Sequence, residues 1–395
     1  MASDLKTNLR HLRVFLSVAE NGSITRAGDL CHISQPAATQ VVAKLERAAG
    51  QPLFLRRPQG LFPTPAGDAL AARVRRALAY LDPPLDALAP RLRHTASHSQ
   101  LQALVAMCEA ENFTLAARQM GLAQPTVHRA ISQLEQIVGR TLFERTAHGM
   151  LPSRATLALA HGARLAFAEL ELAEADLAEL LGREVGRIVV GAMPLSRSCM
   201  LPQAIASFRV SHPDLPIQVV EGPYRDLLAD LRRGAIDLLI GALRDPAPID
   251  DVEQHALFAD SLVLVARPDH PLAGRRSIKV SDLARHPFVV PFSGTPTRLA
   301  FDRLFAGSAL RPSLIETASM VLMRELLRIS DHVGCISGAQ VAAEIELGVL
   351  VKLPFAMKGT LRSIGLTQRS DWVPTTLQQE FMAELRAASM DIARD

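Results

Sequence analysis

The sequence predicts a multidomain chain: two tandem α-rich winged helix-turn-helix domains followed by a two-lobed α/β domain. Three observations predict it. Residues Ile24 to Pro63 align without a gap on Phe113 to Pro152, at a constant offset of 89 residues. Both stretches have short helical periods, a Gln-Pro dipeptide (Gln35-Pro36, Gln124-Pro125) and a Leu-Phe-x-Arg run. From Gly186 onward, apolar strand-like runs alternate with helical patterns. Two units are too few for a solenoid, so a duplicated small domain is the better reading.

The totals bound the class. A chain of 395 residues suits three domains of ordinary size. It contains no run of 18 apolar residues, so no membrane span and no membrane partner is expected. The start, MASDLKTNLRHLRVF, lacks a continuous apolar region and a small-residue cleavage site, which points to a cytoplasmic protein. The four cysteines (Cys31, Cys108, Cys199, Cys335) form no CxxC pair and read as reduced thiols in or near cores. No metal site and no cofactor is expected. The net charge of +3 hides a gradient: Lys and Arg outnumber Asp and Glu by 13 to 7 in residues 1–100, but are outnumbered 25 to 29 in residues 161–395. The basic N-terminal part suits a polyanionic partner.

In the first copy, Leu9, Leu12, Val14, Phe15 and Val18 have helical spacing, and Gly22 stops that helix. Ile24 to Cys31 is a second short helix. Ser34 then sits at an N-cap with Pro36 in the first turn, where its missing N–H costs nothing. Val41, Val42 and Leu45 form the apolar stripe of this third helix. A short helix, a tight turn and a capped helix make a helix-turn-helix, whose second helix would enter a major groove by its N-terminal end. Leu53 to Arg57, then Pro58-Gln59-Gly60, then Leu61 to Pro63, predict two short strands around a turn, a wing. Thr64 would cap the next helix with Pro65 at its first position.

HISQPAATQVVAKLE followed by LFLRRPQGLFPTPAG resembles the winged helix-turn-helix of LysR-type transcriptional regulators. The resemblance implies that Ser34, Gln35, Pro36, Ala37 and Thr39 form the groove-facing start of a recognition helix. Gln35 and Thr39 can hydrogen-bond to base edges or phosphate, and Pro36 and Ala37 allow close approach. Arg56 and Arg57 on the wing would grip phosphates. The bland alternative is that Ser34 and Thr39 merely cap and solvate a helix.

The second copy departs from the first. Ala123 replaces Ser34 and removes the side-chain cap, and His128 and Arg129 stand where Thr39 and Gln40 stood. Thr146 replaces Arg57, and Glu144 sits beside Arg145. Gln124, Thr126, His128, Arg129 and Arg145 remain candidates for DNA contact, with a weaker phosphate grip. A purely structural role for this copy, serving oligomerisation, is the competing reading.

Between the copies, Thr64 to Leu81 reads as a helix interrupted at Asp82-Pro83-Pro84, with a shorter helix from Leu85 to Leu92 and a polar linker after it. Arg154–Gly182 carries Leu157, Phe167, Leu170, Leu177 and Leu181 on one stripe, suited to pairing two chains. The expected domains are 1–66 and 99–153 (winged units), 67–98 (linker helices), 154–183 (dimerisation helix) and 184–395. In the last, one lobe takes about 184–260 and 352–395, and the other about 261–351.

The βαβ alternation from Arg187 implies a mostly parallel sheet. GRIVVG, LLADLRRGAIDLLIGAL, VLVARPDHPLA and LRSIGLTQR resemble the effector-binding domain of the same family, two α/β lobes like a periplasmic binding protein. Ligand in such folds sits between lobes, beyond strand C-terminal ends. Ser196, Arg197, Ser198, Thr295 and Thr297 occupy those positions, with Thr317 and Ser319 as secondary candidates; their hydroxyls favour a small anionic effector. The same residue types also cap helices. The expected partners are double-stranded DNA, a small-molecule effector and further copies of the chain (dimer or tetramer), with RNA polymerase as a further candidate. An enzyme on the two-lobed scaffold is the remote alternative: the sequence has no nucleophile elbow, no phosphate loop and no HExxH motif.

Overall fold

The Asn8 side chain accepts a hydrogen bond from the His11 N–H and so starts α1 (Leu9–Asn21), which ends where Gly22 turns left-handed. The computed structural model describes residues 8–147, 149–247, 249–306 and 311–392. It divides into two compact units at Arg187/Ile188. After α1 come α2 (Ile24–Leu30), capped by Ser23, and α3 (Gln35–Ala49), whose cap is Ser34. Strands β1 (Phe54–Arg57) and β2 (Gly60–Pro63) pair antiparallel, and α4 (Pro65–Leu88) follows with Thr64 as its cap. After the short α5 (Leu92–Thr95), the order repeats: α6 (His98–Ala110), α7 (Phe113–Met120), α8 (Gln124–Val138), β3 (Phe143–Thr146), β4 (Gly149–Pro152) and α9 (Arg154–Glu179).

The two segments share interactions at the offset of 89, not only elements. Glu46 Oε1 accepts from the Leu53 N–H (2.9 Å), and Glu135 Oε1 from the Leu142 N–H (2.8 Å). Arg75 pairs with Glu20 and Arg164 with Glu109. Each wing is pinned to the end of its first helix: Leu61 N–H donates to Gly22 O (2.9 Å) and Met150 N–H to Glu111 O (2.8 Å). A side chain at Gly60 or Gly149 would lie 2.7 Å from that same carbonyl, and both glycines have φ above 130°. Thr156 stands where the first segment has Gly67, and its hydroxyl donates to Leu142 O (2.9 Å).

One expectation fails at Asp82-Pro83-Pro84, where α4 continues through both prolines to Leu88. Prolines strand the carbonyls four residues earlier, those of Ala79 and Tyr80. Gly162 of α9 faces the Tyr80 carbonyl so closely that a Cβ would sit 2.4 Å from it and 3.0 Å from Pro84 Cγ. The missing side chain lets α9 cover the irregular turn, and packing preserves the helix. The apolar stripe of α9 also departs from expectation. Its Leu170 and Leu177 are buried within this chain, in one core with Leu70, Val74, Ala77 and Leu81 of α4, while Leu157 and Leu181 are exposed. The stripe chosen for pairing two chains is largely spent on the chain's own α4.

Ion pairs lock this arrangement. Arg73, 4% exposed, donates Nη1 to Glu169 Oε2 (3.2 Å) and Nε to Asp176 Oδ2 (2.6 Å); Arg76 Nη2 also reaches Glu169 (2.8 Å). Asp82 on α4 holds Arg13 of α1 (2.9 Å) and Arg93 of α5 (2.8 Å). Burial raises the Asp82 pKa, but the Arg13 and Arg93 guanidiniums outweigh it and hold the carboxyl below its ordinary 3.8. A depressed folded value adds stability above the unfolded pKa and loses it as pH falls through the folded one. Asp82→Asn is therefore expected to cost about 2 kcal/mol at pH 7. The gap from the parent should close on acidification below about pH 4, as thermal melts at graded pH would show; a gap constant with pH would contradict the assignment.

The C-terminal unit is built from β5 (Ile188–Ala192), α10 (Pro194–Ser198), α11 (Met200–Ser211), β6 (Ile217–Val220), α12 (Tyr224–Arg232), β7 (Leu238–Ala242) and β8 (Val252–Asp260). The chain then crosses to β9 (Leu262–Ala266), α13 (Val280–Leu283), β10 (Phe288–Val290), α14 (Pro296–Leu304), β11 (Leu314–Glu316), α15 (Met320–Ile329), β12 (Val333–Ser337), α16 (Ala342–Glu346) and β13 (Val351–Lys352). It returns through β14 (Arg362–Arg369) to α17 (Thr376–Ile392). Two five-stranded sheets result, ordered β6-β5-β7-β14-β8 and β11-β10-β12-β9-β13. The expected mostly parallel sheet holds only for three strands of each. β14 runs antiparallel to β7 and β8, and β9 antiparallel to β12 and β13. The parallel strands β5, β6 and β7 of one sheet, and β10, β11 and β12 of the other, follow one another through helices, whereas β8, β9 and β14 flank the passages of the chain between lobes. No described helix is long and apolar enough to cross a membrane.

Candidate nucleic-acid interface and ligand cleft

The start of α3 combines three local features: the Ser34 hydroxyl accepts from the Ala37 N–H (3.4 Å), Pro36 lies in the first turn, and Val41, Val42 and Leu45 fix the buried face. That anchoring leaves Ser34, Gln35, Pro36 and Thr39 exposed and Ala37 half-buried. The Thr39 hydroxyl donates to Gln35 O (3.0 Å), which keeps its oxygen outward as an acceptor. On the wing, Arg56 and Arg57 are exposed, and the Arg57 guanidinium lies over the Phe62 ring at 5.6 Å.

The second segment exposes Gln124, Thr126, His128, Arg129 and Arg145 in the matching places. Ala123 gives α8 no side-chain cap. The His128 ring packs beside Phe113 (5.1 Å), with Nδ1 3.4 Å from Ser132 Oγ, so its position is set by its own segment. Thr146, in place of Arg57, turns its hydroxyl to Gly149 O (3.0 Å), and Leu151 replaces Phe62. The second wing thus presents Arg145 with Glu144 next to it.

In the C-terminal unit the expected residues are mostly engaged locally. Ser196 is buried and donates its hydroxyl to Met193 O (2.8 Å). Arg197 pairs with Glu221, and Ser198 is exposed. Thr295 caps α14 and Ser319 caps α15, while Thr317 Oγ1 accepts from the Ser319 N–H (3.0 Å). Among the described residues no hydrogen bond joins the Ser196–Ser198 turn to the Thr295, Thr297, Thr317 and Ser319 group. Of these expected residues, Thr297 is the one that reaches across lobes, accepting from Arg362 Nη1 at 3.3 Å.

Arg362 was not among the expected residues. It opens β14 opposite Asp260, the last residue of β8, and lies 3.6 Å from that carboxylate. Its Nε is buried without a hydrogen-bond partner in the structure. Burial holds its guanidinium below the usual arginine value, with Asp260 opposing that effect and Arg244 adding to it. Arg244, just past β7, stacks over Tyr224 at 4.5 Å. Two arginines beside strand ends, with Tyr224 at the start of α12 and Thr297 in α14, offer donors of the kind that bind anions. A cation at the head of a strand that links two lobes was the available sequence signal. Burial pushes the Cys199 thiol up to about 11, above the range of an activated thiolate. The described residues contain no cluster able to hold a metal ion.

Comparison with known proteins agrees with this division. The pattern of the LysR substrate binding domain matches residues 181–389. That of the bacterial regulatory helix-turn-helix protein, lysR family, matches twice, at residues 9–68 and 98–156. The HTH-type transcriptional regulator GalR of Pseudomonas putida is 35% identical over 96% of both chains. The uncharacterized HTH-type transcriptional regulator YdcI of Escherichia coli is 31% identical, over 71% of this chain and 90% of its own. In fold, ArgP from Mycobacterium tuberculosis is similar at a TM-score of 0.55 (18% identity, covering 73% of this chain and 96% of that one). The chain belongs to the LysR family, as a DNA-binding transcriptional regulator with a C-terminal effector-binding domain.

Proposed function

We propose that both helix-turn-helix segments, products of one duplication, read double-stranded DNA, and that a small anionic effector held between the C-terminal lobes modulates that binding. The observation that carries the first part is the repetition of the same internal interactions at an offset of 89, with polar and basic side chains exposed at both helix starts. The first segment supplies most of the electrostatic affinity, through its capped helix and paired wing arginines. The reading uses Ser34, Gln35, Pro36, Ala37, Thr39, Arg56 and Arg57, with Gln124, Thr126, His128, Arg129 and Arg145 as the second set. Gel-shift titration of the purified chain against its own upstream DNA at low salt tests it; binding without sequence preference would sink it.

The effector reading rests on Arg362, Arg244 and Thr297, and extends to the exposed Ser198 at the first strand end. A ligand shifts activity only by its differential affinity for two shapes of the protein. Arg362→Ala is expected to cut by more than half any melting-temperature rise that a panel of small carboxylates produces. An undiminished rise would move the site elsewhere. The reading takes the working chain to be a cytoplasmic homo-oligomer in contact with RNA polymerase at its promoter. The assembling surface lies outside the buried part of α9.

A further inference from the structure

With the offset of 89, Arg73 corresponds to Gly162 and Tyr80 corresponds to Glu169. Arg73 touches Glu169 through a buried ion pair, and the Tyr80 carbonyl touches Gly162 through a close backbone approach. These are one contact with the two helices exchanged. Such an exchange is the signature of a local two-fold axis between α4 and α9, which therefore pack antiparallel. The flanking contacts follow suit. Gln51, just after α3, donates to Leu177 O of α9 (3.0 Å), and Arg91, just after α4, donates to Ile137 O of α8 (2.7 Å). These two contacts are exchanged to within one helical turn. The end of each third helix is thus braced by the other segment's connecting helix or the residues next to it.

We propose that a single chain is a complete two-fold DNA reader: its two winged segments face an imperfect inverted repeat, one half-site each. This rests on the reading that both segments bind DNA. The pairing is chemically unequal, and that inequality selects it. Two copies of α4 would set Arg73 beside a second Tyr80 and Ala87, with no acid at the positions of Glu169 and Asp176. Two copies of α9 would set Glu169 beside a second Gly162 with no arginine. Each like pairing strands a buried charge, whereas α4 with α9 matches both. The two-fold orients the third helices oppositely along a duplex, as the backbone symmetry of duplex DNA requires of inverted half-sites. The halves are not identical, because Ala37 and Thr39 of one correspond to Thr126 and His128 of the other, while Gln35-Pro36 and Gln124-Pro125 agree. The operator is accordingly symmetric where the shared residues read and divergent where the others do.

The test selects binding sequences for the full chain from a random duplex pool, then counts chains per selected site by native mass spectrometry. The expected result is an inverted pair of half-sites for every chain bound. His128→Thr with Arg129→Gln gives the second helix the residues of the first at two of the positions that differ, both exposed. This variant is expected to change base preference in one half-site only, by about tenfold, making the selected site more symmetric. A direct repeat, one half-site per chain, or an equal change in both halves would overturn the inference while leaving DNA recognition intact. Absence of any enriched sequence would overturn the regulatory reading and the inference together.

Discussion

Replacing Glu169 with alanine is expected to destabilise the N-terminal unit by about 3 kcal/mol, the low end of the range for breaking a buried ion pair. Glu169 is 2% exposed and accepts from Arg73 and from both Nε and Nη2 of Arg76. Without it, Arg73 falls back on the shallower carboxylate of Asp176, and Arg76, a quarter exposed, must turn to water. Asp176→Ala should cost less, about 1 kcal/mol, because Asp176 is partly solvated and Arg73 keeps its deeper partner. Arg73→Met combined with Glu169→Leu should cost less than Glu169→Ala alone, since it removes the most deeply buried pair together and the charges left over, Arg76 and Asp176, are partly exposed and can turn to water. Urea titration of the full chain, resolving the transition of this unit, measures all three. A loss below 1 kcal/mol for Glu169→Ala would mean that the cluster decorates the α4–α9 packing without holding it.

The same pair of helices shows where sequence reading stops. Helix starts and stops in the first winged segment were legible because they are local: Ser34 with Pro36, Thr64 with Pro65, and Gly22 each act within a turn of themselves. The continuation of α4 through Pro83 and Pro84 was not legible, because the residue that makes it tolerable, Gly162, lies far along the chain. The fate of the α9 stripe was hidden for the same reason: periodicity shows that a face is apolar, not what covers it. In the C-terminal unit, buried strands such as Ile188–Ala192 stood out as apolar runs, whereas β8, with Glu253, Gln254 and His255, did not. Losing β8 hid the pairing of Arg362 with Asp260, since the β14–β8 register is what sets the two against each other. The serines and threonines chosen instead carried an ambiguous signal, because the hydroxyl that suits a ligand also suits a cap, and at Thr295 and Ser319 capping is what it does.

Arg56→Ala with Arg57→Ala is expected to weaken DNA binding broadly across sequences and to flatten its salt dependence. Each phosphate neutralised adds about 0.9 to the slope of log affinity against log salt, so the double change should lower that slope by about 1.8. Removing each guanidinium should also lower affinity about tenfold, from roughly 1.5 kcal/mol per hydrogen bond to a charged group. Arg57 adds to this by position, because stacking over Phe62 restrains a long side chain that would otherwise lose rotamer freedom on binding. The second wing offers no such support: Thr146 and Leu151 replace that pair, and Glu144 repels phosphate beside Arg145. Arg145→Ala should therefore change the slope by about 0.9 at most. Titrations across a salt series separate the two wings on one operator. If Arg145→Ala weakens binding more than the double replacement, the second segment is the principal electrostatic reader, and the first owes its basic wing to some other demand.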